Sequence, residues 1–136
     1  VAQTSPAFIQ GPNVVVSRAI TAADTNTTVA AVELPAKSFV PPYGVSTIVV
    51  TALSGGSPAL NVGDGTTADG WVDADDTTEG TPGTYTGSAA NAAYSDTGKY
   101  YATADTIDVA VSASLSAGLA FIVVRYYDFS DLDLSA

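Results

Sequence analysis

The side chains in this sequence whose types and spacing could do chemistry are carboxylates: Asp64, Asp69, Asp73, Asp75, Asp76 and Glu79. A hard cation such as Ca²⁺ takes 6–8 oxygen ligands, and acidic residues at alternating positions can wrap one. Within DADDTTEG, the residues Asp73, Asp75 and Glu79 have that turn-like spacing and are the candidate metal ligands. The segment departs from the EF-hand loop, whose central Gly and terminal Glu are misplaced here. The plainer reading is that these acids shape turns, since Asp64-Gly65 and Asp69-Gly70 are hairpin dipeptides. No resident metal or cofactor is therefore expected.

Catalysis has little to work with. Two carboxylates across a cleft can hydrolyse a glycoside, but loops rich in Ala, Ser and Thr seldom build a deep pocket. The chain has no His and no Cys, which removes the commonest general base, a thiol nucleophile and any disulfide. Lys37 or Lys99 would act as a base only if desolvated, and nothing around either signals that. No catalytic residues are expected, and the protein is not expected to be an enzyme.

The aromatic residues suggest contact rather than reaction. Tyr100-Tyr101 and Tyr126-Tyr127 are adjacent pairs in strand-like segments, so each pair points to opposite faces. One member of each belongs in a core, and the other is free to meet a partner. Trp71, beside the acidic loop, is expected at an interface, where aromatic residues are enriched. Phe8 and Ile9 near the start, with Tyr126, Tyr127 and Phe129 near the end, complete the interface candidates.

The elements that position these residues read as strands. Helical spacing is absent apart from a hint at Ala22-Ala23 before Asp24, and β-branched residues abound. Strands are predicted over residues 14–20, 27–34, 44–53, 59–62, 107–115 and 119–127, with short ones near Trp71 and Tyr85. A further Tyr-rich strand follows Gly98. In 27–34, Val29 and Ala31 share a face, while Val32 and Leu34 fit less regularly. In 44–53, Val45, Thr47, Val49, Thr51 and Leu53 share a face, with Ile48 and Val50 on the other. Residues 119–127 are likewise apolar on both faces except for Arg125. Such two-sided strands are central, or are covered by another subunit. Ser116-Ala117-Gly118 is the expected reversal between the last two strands, and Pro35, Pro41 and Pro42 should interrupt the ladder. The fold class is all-β: a single-domain antiparallel β-sandwich or jelly-roll with long loops. Its expected boundaries are an arm over 1–13, the sandwich over 14–128 and a tail over 129–136.

Bulk composition excludes several classes. The 136 residues suit one domain. Hydrophobic residues at 46% and charged residues at 13% argue against disorder. No apolar run approaches the ~20 residues of a membrane helix, so no membrane partner is expected. The net charge of −10, with Arg18, Lys37, Lys99 and Arg125 the basic residues, would repel a phosphate backbone. No nucleic-acid partner is expected. The sequence lacks Met, and Val1 is expected to begin a mature form.

Two segments bear a resemblance. ALNVGDGTTADGW and the later TGKYYATADTIDVAVSASLSAGLAFIVVRYYDF are similar to a family of small all-β virion proteins of tailed bacteriophages. That family often carries a VGDGTDADG turn, a GKYYxxADTIDV strand pair and a closing AGxxxVxVxY strand. The likeness spans about half of the chain or a little more, and its motifs mark strands and turns rather than chemistry. It departs from the family in the insert TTEGTPGTYTGSAANAAYSD. The resemblance implies an acidic virion structural protein that decorates or cements the capsid exterior. Its implied partners are the major capsid protein and itself, as a homotrimer that would also cover the two-faced strands. The alternatives are a head-fibre or tail-associated domain binding host glycans through Trp71 and the acidic loop, or a subunit of an extracellular β-filament.

Overall fold

The computed structural model describes residues 11–132. Most of the expected arm, with Phe8 and Ile9, and the end of the expected tail lie outside the described residues. Among those described, the strands in chain order are β1 Asn13–Val16, β2 Thr28–Leu34, β3 Ser38–Val40, β4 Val45–Gly55 and β5 Leu60–Gly63. They continue with β6 Gly83–Thr86, β7 Lys99–Tyr101, β8 Asp105–Val111 and β9 Leu115–Asp128. Short 3-10 turns stand at Ala22–Asp24, where the sequence hinted at one, and at Ala74–Asp76.

The strands form two antiparallel sheets. One has the order β6-β4-β9-β3-β7 with β1 also paired to β9, and the other is β2-β8-β5. Between them lies a core that includes Ile20, Leu34, Leu60, Trp71, Ile107 and Ile122, all buried. The fold is a β-sandwich, as the alternating pattern predicted. Its pairings are all non-local, for no two consecutive strands pair with each other among the described residues. The 14-residue β9 is the spine, pairing with β1, β3 and β4.

Several strand readings change in three dimensions. The last reversal falls at residues 112–114, not at Ser116-Ala117-Gly118, and it carries the chain from one sheet to the other. Turning there lets Val111 and Leu115 both face the core. The reversal is pinned from the side, because Asn26 N donates to Ser112 O at 2.9 Å and Leu115 N donates to Thr25 Oγ1 at 3.1 Å. In β2, Ala31 is skipped between the pairs Ala30–Asp108 and Val32–Ile107. This bulge reverses the alternation, so Val29, Val32 and Leu34 share the core face and the irregular pattern is explained. A similar shift between Val49 and Thr51 leaves Thr51 exposed while Val45, Thr47, Val49 and Leu53 stay inside.

The strand expected over 14–20 pairs as β1 and then resumes only at an Ile20–Ala120 bridge. In between, Arg18 leaves the ladder to grip Asp24 at 2.6 Å. The strand expected near Trp71 is a single bridge between Val62 and Val72. β3 was hidden by the prolines on either side of it; those prolines bound the strand and leave Ser38–Val40 free to pair with both β7 and β9.

Candidate interaction face and the ion pair behind it

The first Asp-Gly turn is built around a buried charge. β5 ends at Gly63, and the chain loops back so that Val72 bonds Val62 in both directions, at 2.8 and 3.0 Å. Inside the loop, Asp64 Oδ1 accepts from Thr66 N and Thr67 N, both at 2.9 Å. The carboxylate side chain has no solvent exposure. Its other oxygen lies 2.6 Å from Lys99 Nζ and accepts from Tyr101 Oη at 2.9 Å. Tyr101 Oη in turn accepts from Trp71 Nε1 at 2.9 Å. Lys99 also donates to Tyr94 Oη at 3.1 Å and sits 4.3 Å from the Tyr94 ring centre and 4.8 Å from that of Tyr101.

Two glycines permit this arrangement. A Cβ on Gly70 would come within 2.4 Å of the Tyr94 ring. Gly98, at φ +72°, turns the chain into β7 so that Lys99 and Tyr101 point inward.

Electrostatics follow from this geometry. Burial pushes the Asp64 carboxyl up, but the hydrogen bonds from Lys99, Thr67, Thr66 and Tyr101 together outweigh it and hold the group below the usual carboxylate range. For Lys99, burial alone would lower the pKa, yet Asp64 and Tyr94 raise it. Lys99 is thus a held cation and a poor base. Burial is also the main reason that the Tyr101 hydroxyl is raised well above its ordinary value. The quintet of Asp64, Lys99, Tyr94, Tyr101 and Trp71 is a clamp between the two motif segments. The sequence reading missed it, although Lys99 is one of only four basic residues and stands in the same short motif as the tyrosine pair.

Of the other acids, Asp73, Asp76 and Glu79 hold loops. Asp73 Oδ1 accepts from Asp75 N at 2.8 Å, capping the turn Ala74–Asp76, and Asp75 is exposed. Asp76 accepts from Ser88 N at 3.0 Å and Asn91 Nδ2 at 2.9 Å, tying down the insert. Glu79 Oε1 accepts from Leu60 N at 3.2 Å, and partial burial raises its pKa. Asp73, Asp75 and Glu79 are not brought together; among the described residues no cluster of three acidic side chains is placed to hold a metal ion.

The interface candidates divide. Trp71 does not face a partner: it is 1% exposed and packs edge-on against Tyr94 at 5.5 Å, because its indole N–H finds its acceptor inside. Tyr126 also turns inward against the core. Tyr127 and Phe129 lie outside it. Phe39 of β3 pairs with Tyr100 of β7 on one side and with Tyr127 of β9 on the other, making an aromatic row across three strands. The Phe129 ring lies against all three, with centroid distances of 6.1 Å to Phe39, 6.4 Å to Tyr100 and 6.5 Å to Tyr127. As expected of adjacent tyrosines, Tyr101 is buried and Tyr100 exposed.

This row is one end of a larger apolar surface. Alternation places Phe121, Val123, Arg125 and Tyr127 on the outer side of β9, with Val14 opposite Arg125, Val16 opposite Val123 and Ile48 opposite Phe121. Val14, Val16 and Val50 are 59%, 56% and 50% exposed. Thr84 and Thr86 of β6 complete the face. Among the described residues, Arg125 is its one charged side chain. The outer side of the three-stranded sheet differs, carrying Glu33 and Asp108 among Thr28, Thr106 and Asn61.

No protein-family model and no curated protein matches the sequence. Among solved structures, the fold is similar to that of a chain from the "Cyanophage Pam1 capsid asymmetric unit", with a TM-score of 0.62. The match covers 94% of each chain at 20% sequence identity. The two chains share one β-sandwich fold over nearly their whole lengths.

Proposed function

We propose that this protein is a virion structural component: a decoration or cement protein on the outer surface of a tailed-phage head, bridging subunits of the major capsid protein. One observation carries the reading: the fold shared over 94% of both chains with a member of the Cyanophage Pam1 capsid asymmetric unit. The phage-like VGDG and GKYY motifs add to it, since both meet in the clamp around Asp64. The net charge of −10 favours the exterior, away from packaged DNA and toward basic patches on a shell. The role is adhesive, without catalysis or a cofactor, and the working unit is a homotrimer. The test is co-sedimentation of the purified chain with capsids stripped of their outer proteins. Saturable binding is expected, and absence of binding would overturn the reading.

A further inference from the structure

We propose that the outer face of the six-stranded sheet is the surface by which one copy of this chain contacts a second copy. The inference deepens the virion reading and rests on it for its setting, but it concerns self-association alone. An antiparallel sheet face left in water is normally polar. This one presents Val14, Val16 and Val50, each at least half exposed, and continues into the Phe39–Tyr127–Tyr100 row. Contiguous apolar surface of this kind marks a contact.

Charge selects the partner. The chain carries 14 acidic residues and a net charge of −10, so two copies repel wherever carboxylates face each other. The strand positions that form this face contain no carboxylate, whereas Glu33 and Asp108 stand on the outer side of the other sheet. Among the described residues, this is the sheet face that can approach an acidic neighbour without that repulsion. Arg125, exposed in the middle of the face and without an ion pair among the described residues, offers a cation to a carboxylate of the second copy. A basic shell surface would gain nothing from a carboxylate-free face and would be opposed by Arg125. Shell contact therefore falls to the acidic loops, and self-contact to this sheet.

The experiment is analytical ultracentrifugation of the full chain, beside Val16→Glu, Val50→Glu and Arg125→Glu. The two valines are exposed, so their replacement should leave circular dichroism and thermal unfolding of the monomer nearly unchanged. A wild-type multimer whose dissociation constant rises about tenfold or more in each variant is the expected result. A wild-type chain that stays monomeric, or a multimer indifferent to all three changes, would overturn the proposal. Stripped capsids are assayed in parallel, which separates the two readings. A multimer lost in the variants supports the proposal whether or not capsids bind. Capsid binding by a monomeric wild-type chain that the same variants abolish overturns it, because the shell would then occupy this face.

Discussion

The ammonium of Lys99 and the carboxylate of Asp64 lie 2.6 Å apart across 35 positions of sequence, and the carboxylate is wholly buried. Removing one partner of such a pair leaves the other charge uncompensated, which typically destabilises by about 3–5 kcal/mol. Asp64→Asn and Lys99→Met are each expected to fall near the low end, since Lys99 keeps some solvent contact. Urea denaturation of both single variants and the double variant tests this. The double variant should be clearly more stable than the sum of the singles allows; simple additivity would show that the two groups are not coupled.

Acid should unfold the protein through its depressed carboxylates. In Asp24, the hydrogen bond from Arg18 lowers the pKa against a burial penalty; in Asp64 and Asp76, hydrogen bonds together outweigh burial. A group with a lowered folded pKa contributes stability that is fully present above its unfolded value, about 3.9 for Asp, and is lost as pH falls through the folded value. Stability should therefore hold down to about pH 4 and decline below it. Glu79 has the opposite sign: its raised pKa makes the fold take up a proton as pH falls, so Glu79→Gln should slightly raise the melting temperature at pH 7 and lose that advantage near pH 4. Melting curves across pH 2–8 would check both signs.

Thr47 is fully buried in β4, and its hydroxyl has no hydrogen-bond partner among the described residues. Replacing a buried unpaired hydroxyl with a methyl group of similar shape removes a desolvation penalty of about 1–3 kcal/mol. Thr47→Val is expected to raise stability by about 1 kcal/mol. A loss of stability in denaturant titration would mean that the hydroxyl is bonded after all.

Trp71 is the only tryptophan, so intrinsic fluorescence reports its site directly. Emission should be blue-shifted in the folded chain, move to the red on unfolding, and stay unmoved when capsids or further copies bind. Trp71→Phe should cost about 1 kcal/mol through the lost indole hydrogen bond to Tyr101, whose hydroxyl keeps its bond to Asp64. A shift on binding would return Trp71 to an interface.

Tyr126 and Tyr127 should separate by role. Tyr126→Ala is expected to lower stability by about 2 kcal/mol, below the 3–5 of a fully buried aromatic, because its ring is only partly covered. Tyr127→Ala should change stability by less than about 1 kcal/mol and instead weaken self-association. Equal thermal losses in the two variants would contradict their opposite faces.

The alternation of Ile107, Val109 and Val111 determined by itself that β8 is a half-buried strand, and the same logic set the directions of Tyr100 and Tyr101. Strand identity and the all-β class are local properties: period, β-branching and turn residues lie within a few positions of one another. Pairing partners are not local. β9, at the end of the chain, collects β1, β3 and β4 from its first half, and only the folded sheet decides that Phe39, between its prolines, stands between Tyr100 and Tyr127. Bulges such as that at Ala31 reverse a face without any residue that announces it. Carboxylates in a turn look alike in sequence, yet a cation arriving from β7 made Asp64 a buried clamp while Asp75 stayed in water. That difference depends on distance in space, because the free energy of a buried charge is set by the groups within a few ångströms of it.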